Sequence, residues 1–247
     1  MNSKYRIKRT NNLSYWFVLR YYYIKLINVL FIKFLKGGND IEIKKINNTD
    51  IQYPNLLSTI YNSPQKLYVL GNIENLRRKC VSIVGCRKCS DYGETKAKQI
   101  AYKIAKDNYV IVSGLAQGID TSAHIGAIQA KGRTIAVLAH GLNMIYPAEN
   151  KQLAKQIIQN GGTLISEYSI EDKFKRENFI LRNRIISGLS IATIVVEAKE
   201  KSGSLVTANY ALEQGREVYA VPGNIWNENS FGTNNLIKAG AKIFATL

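Results

Sequence analysis

A regular alternation of short apolar runs with helical segments, starting at Val81, constrains the fold of this chain more than any other feature of its sequence. The runs are rich in β-branched residues and continuously apolar, which is typical of strands that are buried on both faces. The predicted strands are Val81–Val84, Tyr109–Val112, Thr134–Leu138, Thr163–Ser166, Ala192–Val196, Glu217–Val221 and Lys242–Phe244. The predicted helices between most of them are Glu94–Lys106, Thr121–Ala130, Lys151–Asn160 and Leu205–Gln214. This alternation predicts an α/β fold in which helices cover both faces of a parallel sheet.

Residues 1–38 form a strongly basic segment, with eight Lys or Arg side chains and no Asp or Glu between residues 1 and 36. Most of its large apolar residues fall on one broad face of a helix, so we predict a short amphipathic module packed on the main body. Lys25 lies near the centre of the apolar run Trp16–Leu35, where a charge costs about 2.5–3.5 kcal/mol on insertion into a bilayer. We therefore expect no stable membrane insertion, and binding to a membrane surface is the alternative for this module.

Residues 39–80 are less regular and are predicted to form a connector that leads into the main domain of residues 81–247. Turns are expected at Tyr53-Pro54 and Ser63-Pro64, because proline interrupts regular structure there. A short strand is predicted at Leu67–Leu70.

The charge of the chain favours a polyanionic partner. The 34 Lys and Arg residues outnumber the 18 Asp and Glu residues and give a net charge of +16, while a hydrophobic content of 46% is typical of a globular protein. A positive balance of this size indicates nucleic acid above other partners, with AT-rich coding as the alternative explanation. The 3 cysteines are too few for a disulfide framework, so a reducing compartment, the cytoplasm, is expected.

The loop after the first predicted strand of the main domain carries groups suited to a phosphate. Gly85 lets the backbone approach a ligand, and the following helix presents free N–H groups and the positive end of its dipole. Arg87 and Lys88 add positive charge at the same place. A solvated turn with incidental basic residues is the alternative. Cys86 and Cys89 lack enough candidate ligands elsewhere for a zinc site, so no metal is expected.

The loop after the second strand also joins a strand to a helix. Its small residues predict a second backbone cradle for an anion, formed by Ser113, Gly114 and Gly118. Asp120 is predicted to cap the helix, and His124, one turn later, to be packed and hydrogen-bonded. An Asp120–His124 pair acting on a nearby serine is the catalytic alternative.

A third loop of small residues enters a helix at Ser202 and Gly203 and is predicted to bind another phosphate or to support its neighbours. The chain has neither a G-x-G-x-x-G sequence after the first strand of the main domain nor a G-x-x-x-x-G-K-[ST] sequence. These absences argue against an ordinary NAD enzyme and against an ATPase. We therefore expect no bound cofactor.

The densest signal for nucleic acid is a run of basic residues with interleaved aromatic ones. The candidate DNA contacts in it are Lys175, Arg176, Phe179, Arg182 and Arg184. Basic side chains meet phosphates and an aromatic face stacks on a base, which is the pattern of single-stranded nucleic acid binding. Packing of Phe179 into the core is one alternative. For Arg182 and Arg184, the alternative is an internal ion pair with a carboxylate such as Glu167 or Glu197.

Taken together, these stretches resemble the DNA processing protein A (DprA/Smf) family. The matching stretches are VSIVGCRKCSDYG, VIVSGLAQGIDTSAH, TIAVLAHGLNMIYPAEN, NFILRNRIISGLS, VVEAKEKSGSLVTANYALEQGREVYAVPGN and GTNNLIKAGA. The upstream stretch YPNLLSTIYNSPQKLYVLGN is similar to the lead-in of the family. All of them follow the order of the family between about Tyr53 and Phe244, so the resemblance covers most of the chain.

The resemblance implies an extended Rossmann-like domain that binds single-stranded DNA and forms a homodimer. Members of the family protect incoming single strands during natural transformation and help to load the RecA recombinase. In the family, the arginine of the first loop and the FxxRNR motif line the DNA pocket. In this sequence those positions are Arg87, Phe179, Arg182 and Arg184, with Arg176 nearby. Some members carry a C-terminal winged-helix domain, which we do not expect in this chain.

The resemblance also implies no defining catalytic activity, so we expect a binding protein and assign no catalytic residue. The alternative is a Rossmann-like nucleotide-processing enzyme of the phosphoribohydrolase type. That class needs a PGGxGT-type loop followed closely by a catalytic acid. Here the comparable loop runs from Lys201 to Thr207, and the next acid, Glu213, lies about two to three helical turns further on.

Overall fold

A computed structural model of the protein describes Lys33, residues 42–170, Asp172 and residues 175–245. Within these residues, one sheet contains all nine strands. The strands are β1 (Lys44–Asn47), β2 (Lys66–Gly71), β3 (Cys80–Val84), β4 (Val110–Ser113), β5 (Thr134–Leu138), β6 (Thr163–Ser166), β7 (Ala192–Val195), β8 (Glu217–Ala220) and β9 (Lys242–Ile243). Strands β3 to β9 pair in parallel, and β1 and β2 extend the sheet in antiparallel pairing beside β6.

Seven α-helices connect or flank these strands in the described part of the chain. They are α1 (Asn55–Ser58), α2 (Asp91–Lys106), α3 (Ile119–Gln129), α4 (Lys151–Gln159), α5 (Asn178–Gly188), α6 (Gly203–Glu213) and α7 (Glu228–Lys238). Short 3₁₀ turns at Ile73–Arg77 and Ala148–Asn150 precede β3 and α4.

The strand order creates a switch point between β3 and β7. The order across the sheet is β1-β2-β6-β5-β4-β3-β7-β8-β9. The chain moves from β3 outward to β6, and then returns through α5 to the other side of β3, where β7 begins. Ligands of open parallel sheets bind beyond the carboxyl ends of the strands at such a point, so the loops after β3 and β7 position the candidate site.

Apolar side chains cover both faces of the sheet, as the continuous apolar strands predict. On one face, Ile83 and Ile111 pack against alanines of α2 and α3 such as Ala101 and Ala127. On the other face, alternate residues of the same strands join the buried side of α5 and α6. A third cluster lies under α4. The prediction of a parallel sheet with helices on both faces is therefore confirmed.

Besides the one-turn helix α1 and the two 3₁₀ turns, three elements of the structure were absent from the sequence prediction. Strand β1, within the predicted connector, carries one buried side chain, Ile46, and so has no apolar run. Helix α5 was not predicted, because its buried face includes Arg182 and Arg184 and helical apolar periodicity is lost. Helix α7 is rich in Asn, Ser and Gly and gives no helical signal. The predicted strand at Leu67–Leu70 is confirmed as part of β2, which joins the same sheet.

The module predicted for residues 1–38 lies, apart from Lys33, outside the described residues. Among the residues that the structure does describe, no helix is both long enough and apolar enough to cross a membrane.

His124 lies in α3 and is buried against β5. Its Nδ1 is 2.7 Å from the hydroxyl oxygen of Thr134, and that hydroxyl donates its own hydrogen to the carbonyl of Ile111. The imidazole therefore donates from Nδ1, and its Nε2 is buried without a hydrogen-bond partner among the described residues. This confirms that His124 is a packed, hydrogen-bonded residue. Burial, and secondarily the charge of Arg182, lowers the pKa of His124 from 6.5 to about 3.

This depressed pKa predicts that the fold weakens in acid. Below about pH 6.5 the unfolded chain protonates His124 while the folded protein does not, so the free energy of unfolding falls as the pH falls towards about 3. The full effect is of the order of 5 kcal/mol. The free energy of unfolding, measured with denaturant between about pH 6.5 and 5, should rise with pH. His124→Gln should reduce the slope of that rise by up to about 1.4 kcal/mol per pH unit. Equal slopes for the two proteins would contradict this.

Candidate functional site

A cleft of about 540 Å³ opens at the switch point, and we call it the switch-point cleft. Its walls come from the loops after β3 and β7, the first turn of α6 and one side of α5. Groups that line it include Arg87, Lys88, Phe179, Arg182, Lys199, Lys201, Ser202 and Gly203. Candidate residues from three separate stretches of the sequence therefore meet at one edge of the sheet.

Glu197, just after β7, places its carboxylate at the N-terminus of α2. Its oxygens accept hydrogen bonds from the backbone N–H and the hydroxyl of Ser90, at 2.9 and 2.5 Å. Gly93 makes room for this, because a Cβ at that position would lie 2.4 Å from the carboxylate carbon. Glu197 is 2% exposed. A carboxylate of the protein itself therefore occupies the helix N-terminus at which the sequence predicted a phosphate.

Asp120 has a similar role in the loop after β4. One of its carboxylate oxygens accepts hydrogen bonds from the backbone N–H groups of Gly114 and Ala116, at 3.1 and 3.3 Å. Burial raises the pKa of Asp120, although the nearby Arg182 and these donors act in the opposite direction. Helix α3 begins after Gly118 without a side-chain cap, so the prediction that Asp120 caps this helix is wrong. The N–H of Gly114, which belongs to the predicted anion cradle, and that of the nearby Ala116 bind this internal carboxylate instead.

The other residues predicted for the phosphate loops, Ser113, Gly118 and Gly85, pack closely against their neighbours at the carboxyl edge of the sheet. The hydroxyl of Ser113 is buried and donates to the carbonyl of Ile83 at 2.7 Å. Gly118, with a φ of 76°, lies so close to the first loop that a Cβ would be 2.3 Å from the carbonyl oxygen of Cys86. A Cβ on Gly85 would lie 2.6 Å from the side chain of Ile119 and 2.8 Å from the carbonyl oxygen of Glu197. A side chain at either position would collide with neighbouring backbone, so the close packing of the loops requires glycine there.

The catalytic alternative for the loop after β4 does not form. His124 bonds to Thr134, while the carboxylate of Asp120 bonds to the backbone of its own loop. Burial also raises the pKa values of Cys86 and Cys89, so both thiols are protonated at neutral pH. A reactive thiol requires the opposite shift.

The N-terminus of α6 differs from those of α2 and α3, because it opens on the switch-point cleft. Ser202 caps it by accepting a hydrogen bond from the N–H of Ser204. A Cβ added to Gly203 would meet no atom within 4 Å, so the backbone here borders open space. Ser202 and Gly203 are therefore the predicted phosphate-loop residues that keep access to a ligand.

Four cations with exposed side chains surround this opening. Arg87 and Lys88 come from the loop after β3, and Lys199 and Lys201 from the loop after β7. Lys199 forms an exposed ion pair with Glu228, with Nζ 2.8 Å from Oε2, and a hydrogen bond to that carboxylate raises its pKa. The positive charge at the cleft is thus carried by flexible side chains. The sequence prediction named Arg87 and Lys88 but not the two lysines after β7, because their loop carried only a small-residue signal.

Phe179 forms the centre of an aromatic and cationic group at the start of α5. Its ring centroid is 5.7 Å from that of Tyr146, in an edge-on arrangement with an interplanar angle of 63°. The guanidinium carbons of Arg87 and Arg182 lie 5.6 and 6.0 Å from the same centroid. Phe179 is half-buried and belongs to none of the three core clusters. This placement favours a surface role over core packing, which was the alternative.

Arg182 and Arg184 are buried, with 4% and 6% of their surfaces exposed. Arg182 donates from Nη1 to the carbonyls of Gly114, at 2.7 Å, and of Val137. Burial lowers its pKa to about 10, so it stays charged at neutral pH.

Arg184 forms a bidentate ion pair with Glu167, with N–O distances of 2.8 and 2.7 Å, and its Nε donates to the carbonyl of Asn62. The ion pair with Glu167 was the alternative interpretation of the sequence. The structure thus gives Arg184 a bracing role between α5, the end of β6 and the chain near Asn62.

Lys175 and Arg176 are exposed and immediately precede α5. Their backbone carbonyls accept hydrogen bonds from the N–H groups of Asn178 and Phe179, so they form the turn that starts the helix. Neither lines the switch-point cleft. Any contact they make with a ligand would therefore lie outside the cleft itself.

Comparison with known proteins agrees with this architecture. Residues 44–247 match the family model of DNA recombination-mediator protein A. DNA processing protein DprA of Bacillus subtilis (strain 168) is 45% identical over 222 residues, which are 90% of this chain and 73% of that protein.

Two solved structures are similar. DNA processing protein A from Streptococcus pneumoniae has 41% identity and a TM-score of 0.78, over 83% of this chain and 72% of that one. DNA processing protein A from Helicobacter pylori, solved for its single-stranded DNA binding mode, has 30% identity and a TM-score of 0.75, over 85% and 94%.

The buried pair of Arg184 and Glu167 predicts a stability effect. Arg184→Ala leaves the carboxylate of Glu167, whose side chain is 16% exposed, without its partner, and should lower the free energy of unfolding by about 3–5 kcal/mol. Arg77→Ala is the matched control, because Arg77 pairs with Glu74 at 3.9 Å on the surface and should cost about 0–1 kcal/mol. Denaturant unfolding measures both. Equal losses in the two variants would show that Arg184 does not brace the fold.

Proposed function

The chain belongs to the DNA recombination-mediator protein A family, and on that premise we propose that it binds single-stranded DNA in the switch-point cleft without catalysing a reaction on it. The observation that carries the proposal is the combination of four exposed cations with a half-buried phenylalanine at one cleft. Basic side chains that follow a backbone, beside an aromatic ring that stacks on bases, are the elements of binding to single strands without sequence preference.

The distribution of charge supports a polymer as the ligand. The carboxylate of Glu197 at the N-terminus of α2 and that of Asp120 in the loop after β4 already occupy two places that would otherwise hold a single phosphate in a rigid backbone cradle. The remaining positive groups lie on flexible side chains spread around the opening. Such groups can follow several phosphates of a flexible strand, and a net charge of +16 adds long-range attraction.

We assign the residues of the site by their accessibility. Arg87, Lys88, Lys199 and Lys201 would contact phosphates, Ser202 and Gly203 would offer backbone N–H groups, and Phe179 would stack on a base. Arg182 and Arg184 would hold α5 in place. Lys175 and Arg176 would extend the contact beyond the cleft, because they are exposed beside the start of α5.

The cellular role that we propose is that of a mediator in DNA uptake by natural transformation. The protein would protect incoming single strands and help to load the RecA recombinase onto them. It would act as a homodimer, with the region of Tyr219 and the edge strand β9 as the contact. The exposure of Ile243 on β9, at 55%, supports that choice of surface.

The alternative of a nucleotide-processing enzyme has less support from the geometry. Glu213, the first acid after the Ser202–Gly203 turn, ends α6 on the far side of a helix of 11 residues. At about 1.5 Å per residue it lies roughly 15 Å from the turn, too far to act on a sugar whose phosphate is bound there.

The first test of the proposal is strand preference. A cleft that offers side chains to phosphates and an aromatic ring to an unpaired base should bind a single-stranded oligonucleotide more tightly than a duplex of the same length. Fluorescence anisotropy at two salt concentrations measures both affinities. Equal affinity for the two forms would count against the proposal.

The second test separates charge from stacking. Arg87→Ala should weaken binding of all sequences alike and reduce the slope of log affinity against log salt by roughly 0.7, the value for one single-strand phosphate contact. Phe179→Ala should cost about 1–3 kcal/mol in binding and leave the slope nearly unchanged, because stacking releases few counterions. Titrations at several salt concentrations give both quantities.

Two controls accompany that test. Arg77→Ala removes an equal charge at the other end of β3 and should leave the slope close to that of the wild type. Thermal unfolding of Phe179→Ala checks for core packing, which would cost about 3–5 kcal/mol of stability. Wild-type affinity and slope in Arg87→Ala would remove this residue from the site.

A further inference from the structure

A second cleft, of about 580 Å³, adjoins the switch-point cleft, and we call it the Tyr146 cleft. It lies between the loop after β4 and the segment from Asn143 to Lys151 that leads from β5 into α4. Arg87 and Phe179 line both clefts, so these two side chains form a ridge between them. A linear polymer bound at the ridge can therefore enter either cleft or pass from one to the other.

The Tyr146 cleft offers an aromatic surface that the proposed function does not use. Tyr146 is 44% exposed, while the preceding Ile145 is 3% exposed and anchors the segment in the core. The ring centres of Tyr146 and Phe179 are 5.7 Å apart. Their planes meet at 63°, so the two rings cannot both belong to one continuous stack of bases. Each ring can instead face a different base where a flexible strand bends between neighbouring nucleotides.

Polar groups of the Tyr146 cleft suit a nucleobase rather than a wholly apolar ligand. The amide oxygen of Asn143 is buried and has no hydrogen-bond partner among the described residues. An unsatisfied buried acceptor is unfavourable by about 1–3 kcal/mol. Asn143 also lines the cleft, so a rotation of its side chain would let this oxygen accept a hydrogen bond from an N–H group on the edge of a base. The exposed Lys151 stands at the start of α4, and the exposed Glu149 is the acid of the same wall.

We propose that the Tyr146 cleft holds a second nucleotide of the same single strand, with its base stacked on Tyr146. The strand would cross the ridge of Arg87 and Phe179, so that one base lies in each cleft. This inference rests on the proposed function, since it adds a subsite to the same DNA path. It adds Tyr146 and Asn143 to the ligand-binding residues and makes the occupied length of DNA longer than one cleft allows.

The test compares oligothymidylates of increasing length on the full chain. Tyr146→Ala should reduce the affinity of an oligonucleotide long enough to fill both clefts by about 5- to 150-fold, the effect of losing one stacked base. A mononucleotide, which is too short to fill both clefts, should lose little affinity at the switch-point cleft. Tyr146→Phe should retain the affinity, because the aromatic face remains, and the salt slope should be unchanged in both variants.

Tyr102→Ala is the matched control, since Tyr102 is 41% exposed and lies near the end of α2 away from the clefts. It should bind like the wild type. Thermal unfolding of Tyr146→Ala and Tyr146→Leu checks that the fold persists. Wild-type affinity of a well-folded Tyr146→Ala for long oligonucleotides, while Arg87→Ala is weakened, would overturn the second subsite and leave the proposed function intact.

Two other outcomes would also overturn the second subsite. An equal loss for short and long oligonucleotides would mean that Tyr146 acts only by supporting Phe179, which also overturns the second subsite. A wild-type protein that binds no single strand of any length would overturn the proposed function and the subsite together.

Discussion

The carboxylate of Glu197 fixes the arrangement on which the site depends. It extends from the end of β7 to the start of α2, where it accepts two hydrogen bonds from Ser90, and Gly93 leaves it the space to do so. A buried carboxylate is stable only when its lone pairs are satisfied and a positive environment offsets its desolvation. The N-terminus of α2 supplies both conditions. The loops that flank the switch point are thereby joined at a definite distance, and the cleft between them keeps its shape.

Asp120 likewise accepts backbone hydrogen bonds in the loop after β4. Together the two carboxylates limit which ligands the backbone N–H groups of the site can bind. Sheets of this type usually present backbone N–H groups at helix N-termini to a phosphate of a small ligand. Here the N-terminus of α2 and the loop after β4 hold internal carboxylates, and the exposed positive charge lies on Arg87, Lys88, Lys199 and Lys201. A rigid cradle selects one phosphate, whereas long side chains follow a backbone whose conformation varies. The same fold is thereby suited to a polymer rather than to a mononucleotide.

The central strands β3 to β7 and most helices were predictable because these strands are apolar on both faces and most long helices have a periodic pattern. Helix α5 was not, since Arg182 and Arg184 lie on its buried side and remove the apolar periodicity. The meeting of Arg87 with Phe179 could be expected because Arg87 follows β3 and Phe179 lies in the helix that leads into β7, the neighbour of β3. The roles of Glu197 and Asp120 could not, because a carboxylate that replaces a phosphate leaves no signature in local sequence. Tyr146 was also missed, since its segment follows β5 without a basic or glycine-rich signal.

The contacts of Phe179 connect the resting structure with the proposed binding. Arg87 lies 5.6 Å from the ring centre, in the range of a cation–π interaction, and Arg182 supports the same ring from the buried side. At an exposed position such a cation–π contact is worth about 0.5–1 kcal/mol, whereas a base stacked on an aromatic side chain is worth about 1–3 kcal/mol. In the proposed complex, a base would therefore displace the guanidinium of Arg87 from the ring with a net gain. Arg87 would stay beside the nucleotide and could approach its phosphate. On this proposal, one nucleotide would meet first the ring and then the charge, and neither contact would depend on the identity of the base.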